Sequence, residues 1–383
     1  MKSGKLRVKS EKLETRTEEI GGKRVALLLS GGVDSAVAAC MLVEQGIRPD
    51  CYYIRISPDL DWETGEKSGE WGCSEEEDLE MASQVAGKYG LRMEVVDCKR
   101  EYLERVTRYT MEKVRQGLTP NPDVMCNRWI KFGAFDEKVG KEYDYIATGH
   151  YAQTEVDDQG LKWLVRSKDA VKDQTDFLAQ IEGWQLGKAL FPIGHMSKEE
   201  VREVARRERL ACAERKDSQG ICFLGKINYN DYVRRYLGEK VGDVVELETG
   251  RKIGEHRGLW FHTIGQRHGL GFGGGPWFAV RKDMESNTLY VSHGYSPEAA
   301  YRSEFGLRDF HFLTAEVAMD RVMIKIRHTA MLAEARILSE KLEARSEELR
   351  VRSGEKIHGV APGQFCVVYD EAGRRCIGSG EID

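Results

Sequence analysis

The chain has 383 residues, of which 41% are hydrophobic and 32% are charged, and its formal net charge is −5. This length predicts about two or three domains, and the composition is that of a soluble globular protein. No apolar run approaches the ~18 residues that a membrane span needs, so we expect no membrane partner. The first 20 residues are charged and contain no apolar signal segment, which predicts a cytoplasmic protein.

Residues 1–22 are rich in Lys and Glu, and we interpret them as a charged flexible tail. Strands then alternate with helices from residue 23 to about residue 150. The predicted strands lie at residues 24–29, 51–56, 93–97 and 143–148, and the predicted helices at residues 36–43, 75–89 and 101–116. This alternation predicts an α/β fold, a doubly wound parallel sheet with helices on both faces. Ligands bind such sheets at the carboxyl ends of the strands, where Ser30, Ile54 and Gly149 fall.

The first predicted strand leads into a helix through a glycine-rich turn, Ser30-Gly31-Gly32-Val33-Asp34-Ser35. Such a turn aims backbone N–H groups and the positive end of the helix at one point, which is an anion site. The two glycines let the backbone approach a pyrophosphate closely, and the carboxylate of Asp34 could hold a magnesium ion against the phosphates. A plain tight turn is the alternative interpretation. Neither the lysine of a P-loop nor the Rossmann glycine spacing is present.

Beyond residue 150 the pattern changes. We expect a helix from Asp173 to about Gly183 and another from Ser197 to Leu210, the second with Ser197 and Glu200 as a capping box. Short alternating runs separated by glycine-rich turns follow from about residue 226. They predict a small β-rich linking domain over residues 227–297 and a compact β-barrel over residues 298–383. The α/β domain then covers residues 23–226.

Two further stretches carry cysteines with polar neighbours. Pro120 and Pro122 predict an extended, rigid loop just before Asp123 and Cys126, which suits the mounting of reacting groups. Because a carboxylate raises the pKa of a nearby thiol, Asp123 fits a proton shuttle better than an activator of the cysteine. In the stretch 216–223, a lysine near Cys222 favours the thiolate. The spacing alone does not pair the two cysteines.

The remaining cysteines offer no obvious metal site. None of the nine cysteines has a partner at C-x-x-C spacing, which argues against a zinc ribbon and an ordinary iron–sulfur ligand set. In a reducing compartment most thiols stay reduced, and any disulfide is expected to be transient and catalytic. The sequence therefore predicts no resident metal. A cluster held by Cys126, Cys222 and a third group stays open as an alternative.

Seven stretches occur in one order along residues 23–383. They are the glycine-rich turn, Asn121-Pro122-Asp123-x-x-Cys126-Asn127, Ala147-Thr148-Gly149-His150-Tyr151-Ala152, Lys172-Asp173-Gln174, the Cys222 stretch, Thr263-Ile264-Gly265-Gln266-Arg267 and Pro362-Gly363-Gln364. In this set the chain resembles the bacterial-type tRNA 2-thiouridylases, which place sulfur on carbon 2 of the wobble uridine. The resemblance implies an adenine nucleotide alpha hydrolase-like (PP-loop) ATP pyrophosphatase domain, with ATP and Mg²⁺ as cofactors. It also implies tRNA as substrate, those for Lys, Glu and Gln being usual, and a sulfur donor such as a cysteine desulfurase or a relay protein.

The resemblance also implies roles for single residues. Cys222 carries sulfur as a persulfide, Cys126 is the other catalytic thiol and can close a disulfide with Cys222, and Asp123 is the general acid or base. The residues implied to bind ATP are Leu28, Leu29, Ser30, Gly31, Gly32, Val33, Asp34, Ser35, Ile54 and Gly149. Those implied to contact tRNA are Asn121, Pro122, Asp123, His150, Lys172, Asp173, Gln174, Arg327, His328 and Gln364. Three positions depart from the family's usual residues: Ile54 stands where the family often has methionine, Asp176 where an aromatic residue is common, and His328 where tyrosine is frequent.

Three other functions compete with this interpretation. A 4-thiouridine synthetase or an amidotransferase-type synthetase is built on the same turn, but neither is expected to combine Asp123, Cys126 and Cys222 in this arrangement. A tRNA-binding protein without catalysis is expected to have lost the turn or one of the cysteines. This chain keeps all of them.

Overall fold

The computed structural model describes residues 21–56, 75–216, 228–295, 297–338 and 348–383. The predicted tail up to residue 20, Cys222 and most of the charged segment 339–350 lie outside the described residues. Within the described residues, no helix combines the length and the hydropathy needed to cross a membrane.

A parallel sheet covered on both faces forms the first part of the chain. The strands of this part are β1 (Val25–Leu28), β2 (Asp50–Arg55), β3 (Met93–Asp97), β4 (Tyr145–Ala147), β5 (Ala152–Val156), β6 (Lys162–Arg166) and β7 (Ala189–Leu190). The sheet has the order β3-β2-β1-β4-β7. Val25 and Leu27 pack into one core, whereas Ala26 and Leu28 pack into the other. This alternation is expected for a strand buried on both faces, so the predicted doubly wound sheet is confirmed.

The helices follow the strands largely as predicted. Two of them are continuous runs of three segments: Lys99–Glu101, Tyr102–Thr107 and Arg108–Arg115 form the first, and Pro122–Cys126, Asn127–Ala134 and Phe135–Lys138 form the second. The other helices lie at Val33–Glu44, Glu75–Tyr89, Thr175–Leu178, Gly183–Lys188, Lys198–Arg207 and Tyr229–Leu237. The segments Tyr102–Thr107 and Asn127–Ala134 are π-helical. The capping box is confirmed, since the backbone N–H of Ser197 donates to the Glu200 carboxylate (2.7 Å) and the hydroxyl of Ser197 accepts from the backbone N–H of Glu200 (3.3 Å).

The predicted helix from Asp173 to Gly183 is wrong, because two short helices, Thr175–Leu178 and Gly183–Lys188, occupy this region. The carboxylate of Asp173 accepts hydrogen bonds from the backbone N–H of Ser167 (3.0 Å) and from the hydroxyl of Thr175 (2.9 Å). A short polar side chain that bonds neighbouring groups in this way competes with a continuous helix.

Two β-rich parts follow, as predicted. The first contains β8 (Gly242–Glu246), β9 (Lys252–His256), β10 (Trp277–Asp283) and β11 (Thr288–His293), in the order β10-β11-β8-β9. The second contains β12 (Tyr301–Phe312), β13 (Arg321–Lys325), β14 (Ala333–Leu338), β15 (Glu348–His358), β16 (Phe365–Tyr369) and β17 (Arg375–Ile382). Its order is β12-β15-β14-β13-β16-β17, and β12 also pairs with β17, which closes a barrel.

The barrel and the first part of the chain share a sheet. The hairpin β5–β6 leaves the parallel sheet, and β6 pairs with β17, with Leu164 opposite Cys376. Polar contacts reinforce this junction: the amide of Gln180 donates to the hydroxyl of Ser379 (2.9 Å), and the hydroxyls of Thr175 and Tyr369 are 2.8 Å apart. The barrel is therefore fixed against the sheet that precedes it.

A buried lysine of the barrel lies at the same junction. Lys325 is almost completely buried, and its Nζ lies 3.3 Å from the carboxylate of Asp173 and 3.1 Å from that of Asp176. Arg166, with its Nε 3.4 Å from Asp173, adds a second positive charge. Two buried carboxylates are thus balanced by two cations, which is the condition for burying them without a large penalty.

The substitution Lys325→Met tests this balance. It leaves Asp173 and Asp176 without their shared cation, so we expect the free energy of unfolding in urea to fall by about 3–5 kcal/mol. Lys356→Met is the control, because Lys356 forms an exposed ion pair with Glu298, and it should change the free energy by less than about 1 kcal/mol. Equal effects of the two substitutions would contradict the role given to Lys325.

Candidate active site

The glycine-rich turn between β1 and the helix Val33–Glu44 is packed against backbone. Gly31 has φ +78°, and a Cβ there would overlap the carbonyl oxygen of Asp78 in the helix Glu75–Tyr89. A Cβ at Gly149, after β4, would lie 2.6 Å from the backbone nitrogen of Ser35. Only glycine fits these two positions without displacing the backbone. The turn is thus held between two neighbouring segments.

The polar groups of the turn face a helix start. Gly32 is the N-cap of the helix Val33–Glu44 and offers no side chain to cap it. The hydroxyl of Ser35 donates to the carbonyl of Gly32 (3.1 Å) and lies 3.2 Å from the hydroxyl of Ser30. Leu28, Leu29 and Val33 are buried behind the turn. This arrangement offers an anion the backbone N–H groups at the helix start, while the hydroxyl of Ser35 is already engaged with Gly32.

The acid of the turn is paired with a lysine that sequence reasoning missed. The Nζ of Lys198 lies 2.8 Å and 3.0 Å from the two carboxylate oxygens of Asp34, and the hydroxyl of Tyr151 donates to the same carboxylate at 2.7 Å. The Lys198 side chain is only 11% exposed. It follows the N-cap Ser197 directly, so the capping box was the available signal. The turn contains no lysine of its own, but the fold brings Lys198 next to it.

Asp123 and Cys126 lie in a helix, and the predicted extended stretch ends just before them, at Asn121 (φ −114°, ψ 95°). Asn121 is the N-cap of Pro122–Cys126, and its side-chain oxygen accepts from the backbone N–H groups of Asp123 (3.2 Å) and Val124 (3.4 Å). Proline is favoured at the first helical position because it has no N–H to leave unpaired there. Asp123 and Cys126 are at positions i and i+3 of this helix, so they are neighbours on its surface. Cys126 is buried.

The segment after β4 connects the turn with this helix. The buried imidazole of His150 has Nδ1 2.7 Å from the hydroxyl of Thr148 and Nε2 3.5 Å from Nζ of Lys131. An ammonium can only donate, so Nε2 accepts and the proton lies on Nδ1. Burial, with Lys131 close by, holds the pKa of His150 well below its ordinary value, so the ring is neutral. The backbone N–H of Tyr151 donates to the side chain of Gln174 (2.9 Å).

A cavity of about 280 Å³ opens at the start of the helix Pro122–Cys126. It brings together the predicted site residues Asn121, Pro122, Asp123 and Gln364. The cavity is also lined by residues that sequence reasoning did not place in the site, namely Val114, Leu118, Thr119, Pro120, Tyr229, Trp260, His262 and Thr263. Thr263 opens a motif that carried the family resemblance, which was the only sequence signal for this wall. The α/β part, the linking region and the barrel all contribute.

Cys222 lies outside the described residues, but both ends of its segment reach the site. Arg215 donates from Nη1 to the carbonyl of Gly31 (3.3 Å) and forms an ion pair with Asp78. Tyr229, on the other side of the undescribed residues 217–227, lines the cavity. Arg215 and Tyr229, which flank these residues, therefore lie beside the turn and beside the cavity, respectively.

The other predicted contact residues differ in exposure. Asp173 is fully buried, so its carboxylate faces the interior, whereas Lys172 is half-buried and Arg327 is exposed. Ile54 is half-buried near the end of β2, beside the end of β1. Arg327 donates from its guanidinium to the carbonyl of His358. Arg327 and His328 do not line the cavity.

Two of the residues that depart from the family's usual pattern, Asp176 and His328, contact each other. Nδ1 of His328 lies 3.2 Å from the carboxylate of Asp176. The imidazole stacks on the ring of Phe177, with centroids 4.9 Å apart and an interplanar angle of 30°. The carbonyl of Phe177 in turn accepts from the side chain of Asn127 (2.8 Å), the residue after Cys126. The stacked pair is thus joined to the helix that carries the cysteine.

Matched glycine substitutions test the packing of the turn. Gly31 and Gly46 both have φ +78°, but a Cβ at Gly46 meets no atom within 4 Å. We expect Gly46→Ala to lower the free energy of unfolding by about 1–2 kcal/mol, the cost of the left-handed backbone. Gly31→Ala should cost about 1–3 kcal/mol more, because the added carbon overlaps Asp78. Denaturant unfolding of both variants measures this difference, and equal losses would contradict the close contact.

Family comparison divides the chain into three matched regions. The tRNA methyl transferase HUP domain matches residues 23–226, the tRNA methyl transferase PRC-barrel domain matches residues 230–293, and the aminomethyltransferase beta-barrel domain matches residues 302–382. Among solved structures, NMN synthetase from Francisella tularensis covers 60% of this chain and 85% of its own, with 12% identity and a TM-score of 0.36. A 4-thiouridine synthetase–RNA complex with bound ATP covers 56% and 50%, with 17% identity and a TM-score of 0.34.

Similar sequences extend over nearly the whole chain. A Bacteroides thetaiotaomicron protein named tRNA-specific 2-thiouridylase MnmA 1 is 54% identical over 364 residues, which cover 94% of this chain and 99% of that protein. A Porphyromonas gingivalis protein named tRNA-specific 2-thiouridylase MnmA is 50% identical over 367 residues, with coverage of 94% and 98%. On this identity and coverage, the chain belongs to the family of tRNA-specific 2-thiouridylases.

Proposed function

We propose that this protein is a tRNA 2-thiouridylase, which uses ATP to activate the wobble uridine and then replaces the oxygen on its carbon 2 with sulfur. The observation that carries this proposal is that relatives of that name match 94% of the chain at 50% identity or more. The site geometry supports it, since a phosphate-type turn, a buried cysteine beside an acid and a base-sized cavity lie on connected segments.

The proposal divides the work among regions of the chain. Residues 23–226 form the ATP pyrophosphatase domain, residues 227–297 link it to the barrel, and residues 298–383 contact tRNA. The substrates are tRNAs, with those for Lys, Glu and Gln as the family's usual set. The sulfur comes from a cysteine desulfurase or a relay protein, and the protein works in the cytoplasm.

The glycine-rich turn is proposed to bind the phosphates of ATP, with Ile54 and Gly149 beside the adenosine. The free N–H groups at the start of the helix Val33–Glu44 suit an anion. Asp34 fits Mg²⁺, because this ion is usually held by one or two carboxylates together with substrate phosphates, and its side chain is 32% exposed. When bound there, the ion neutralises charge on the phosphates. Lys198 then balances Asp34 before the nucleotide binds and adds positive charge at the pyrophosphate afterwards.

The proposed chemistry has two stages. The oxygen on carbon 2 of the uridine attacks the α-phosphorus of ATP, and pyrophosphate leaves. The terminal sulfur of the Cys222 persulfide next attacks carbon 2, and AMP leaves with the original oxygen. Cys126 then attacks the inner sulfur of Cys222, so that the sulfur–sulfur bond breaks, a Cys126–Cys222 disulfide forms and the transferred sulfur stays on the base. Asp123 moves the protons, and a cellular thiol reduces the disulfide.

The uridine must leave its stack for this chemistry. Carbon 2 cannot be reached within a stacked anticodon loop, so the base is extruded into the protein. Asn121, Pro122 and Asp123 lie beside it at the cavity, with Gln364 on the barrel side. Lys172, Gln174, Arg327 and His328 are proposed to contact the rest of the tRNA. His150 and Asp173 are buried, so we propose that their side chains hold these segments in place.

Cysteine substitutions separate the two stages. In an assay with tRNA, ATP and a persulfide donor, we expect Cys222→Ala and Cys126→Ala to lower 2-thiouridine formation by at least about 1,000-fold. Both should still release pyrophosphate in the first turnover, because adenylation needs neither thiol. The control Cys98→Ala, at a buried cysteine of the core, should thiolate normally. A Cys222→Ala protein that still thiolates tRNA would disprove the persulfide role.

Lysine substitutions test the ATP half of the site. Lys198→Met removes the cation beside Asp34, so we expect pyrophosphate release to slow by about 100-fold. Lys168→Met is the matched control, because Lys168 forms an exposed ion pair with Glu200, which lies on the same helix as Lys198. This substitution should leave the rate of pyrophosphate release within about 2-fold of the wild-type rate. Lys198→Met protein that is folded and releases pyrophosphate at the wild-type rate would show that Lys198 takes no part.

A further inference from the structure

Two residues that line the cavity beside Asp123 carry buried polar atoms that the described chain does not satisfy. His262 and Gln364 both line it. Nδ1 of His262 and the side-chain oxygen of Gln364 are buried and have no hydrogen-bond partner among the described residues. An unpaired buried donor or acceptor is costly, and a bound ligand is one way in which such an atom becomes paired.

The resemblance implies that Asn121 lies beside the base, but its side-chain oxygen has little capacity left to accept a hydrogen bond from it. That oxygen already accepts from the backbone N–H groups of Asp123 and Val124 at the helix start. Its capping role fixes the orientation of the amide. Polar recognition in the cavity therefore falls on other side chains, and His262 and Gln364 are the ones with buried unpaired atoms.

His262 is suited to a neutral partner. Burial lowers its pKa to about 4, and the nearby His256 and Lys282 act in the same direction. At neutral pH the ring is therefore uncharged, with one N–H donor and one acceptor nitrogen. The edge of a pyrimidine likewise alternates between carbonyl acceptors and an N–H donor, so the two can pair without placing a charge in the cavity.

Trp260 gives the cavity an aromatic wall. Its side chain is half-buried, and its indole N–H donates to the carbonyl of Gly238 at 3.2 Å. The ring also packs edge-on against Phe261, with centroids 6.1 Å apart. An indole held in this way is a ready surface for base stacking. The volume of about 280 Å³ lies just below the ~300 Å³ at which pockets begin to hold drug-sized ligands, so it suits a single base.

The proposed function already assigns the extruded pyrimidine to this cavity; we propose in addition that Trp260 stacks on its ring and that His262 hydrogen-bonds its edge. Both act as specificity-determining residues contributed from outside the α/β domain. This inference rests on the proposed function and deepens it. It explains why the linking region meets the α/β part and the barrel at this point: the three together complete the wall of the cavity.

Binding of anticodon stem-loop RNA tests the role of Trp260. One RNA carries uridine at the wobble position, and a second has an abasic nucleotide there. We expect the intact protein to bind the abasic RNA about 5- to 150-fold more weakly, the range for loss of one base–aromatic stack. Trp260→Leu should weaken binding of the uridine RNA by a similar factor and show little further loss with the abasic RNA. Trp260→Phe should restore most of the difference.

Matched variants control for general effects. Trp184→Ala removes an indole that is 52% exposed and should bind both RNAs as the intact protein does. His262→Phe keeps a ring but removes both nitrogens, so the preference for wobble uridine over wobble cytidine should fall by about 2- to 12-fold. His268→Phe, at an exposed histidine of the same region, should keep that preference. If Trp260→Leu does not fold, the His262→Phe result still decides.

The outcomes separate this inference from the proposed function. Suppose that the intact protein thiolates tRNA. If Trp260→Leu still binds the abasic RNA more weakly than the uridine RNA by the full factor, or if His262→Phe keeps the full preference for uridine over cytidine, these residues do not contact the base and the inference is wrong. If RNA binding follows the expected pattern but the intact protein never forms 2-thiouridine, the proposed function is wrong and the cavity remains a base-binding site.

Discussion

Backbone packing at two glycines determines where the rest of the candidate site can lie. Gly31 sits against Asp78 and Gly149 against Ser35, both at distances that exclude a side chain. The turn after β1 is therefore held between the helix Glu75–Tyr89 and the segment that follows β4. That second segment continues into His150 and Tyr151, which contact the Cys126 helix and the Gln174 loop. The nucleotide half and the thiol half of the proposed site are consequently positioned by one short stretch of chain.

The positive charge beside the turn also comes from a part of the chain that is distant in sequence. A P-loop carries its lysine within the loop, whereas here Lys198 comes from a later helix and meets Asp34 in space. A largely buried ion pair is weak evidence for stability, because desolvation offsets most of its attraction. Its place at the helix start that the proposal gives to phosphates points instead to function. A lysine already held by a carboxylate can change partners when an anion arrives, without first having to be drawn out of water.

Local signals made much of the fold predictable. A buried apolar run before two glycines identified β1, its turn and the following helix, and a capping box identified the start of Lys198–Arg207. The prolines before Cys126 did not reveal the helix that carries it, because proline both stiffens a loop and is favoured at the first position of a helix. Here Pro122 begins the helix after the N-cap Asn121. The helix expected from Asp173 failed for a different reason: that carboxylate accepts hydrogen bonds from Ser167 and Thr175, which compete with a continuous helix. It also pairs with Lys325, far away in the sequence.

What could not be predicted is mostly non-local. The pairing of β6 with β17, the approach of Lys198 to Asp34 and the cavity wall of Trp260 and His262 depend on how three regions of the chain meet. Periodicity and turn residues carry no information about such meetings. The contact between Asp176 and His328 is of the same kind. Each departs from the usual family residue, and only their proximity in space shows that the two belong together.

The central chemical claim is that the oxygen on carbon 2 of the wobble uridine attacks ATP. An anticodon stem-loop RNA labelled with oxygen-18 at that oxygen tests it directly, with mass spectrometry of the products after thiolation. We expect the label to leave in AMP, while pyrophosphate stays unlabelled and the base carries sulfur. Label found in pyrophosphate, or sulfur on a base that still holds the labelled oxygen, would contradict the account.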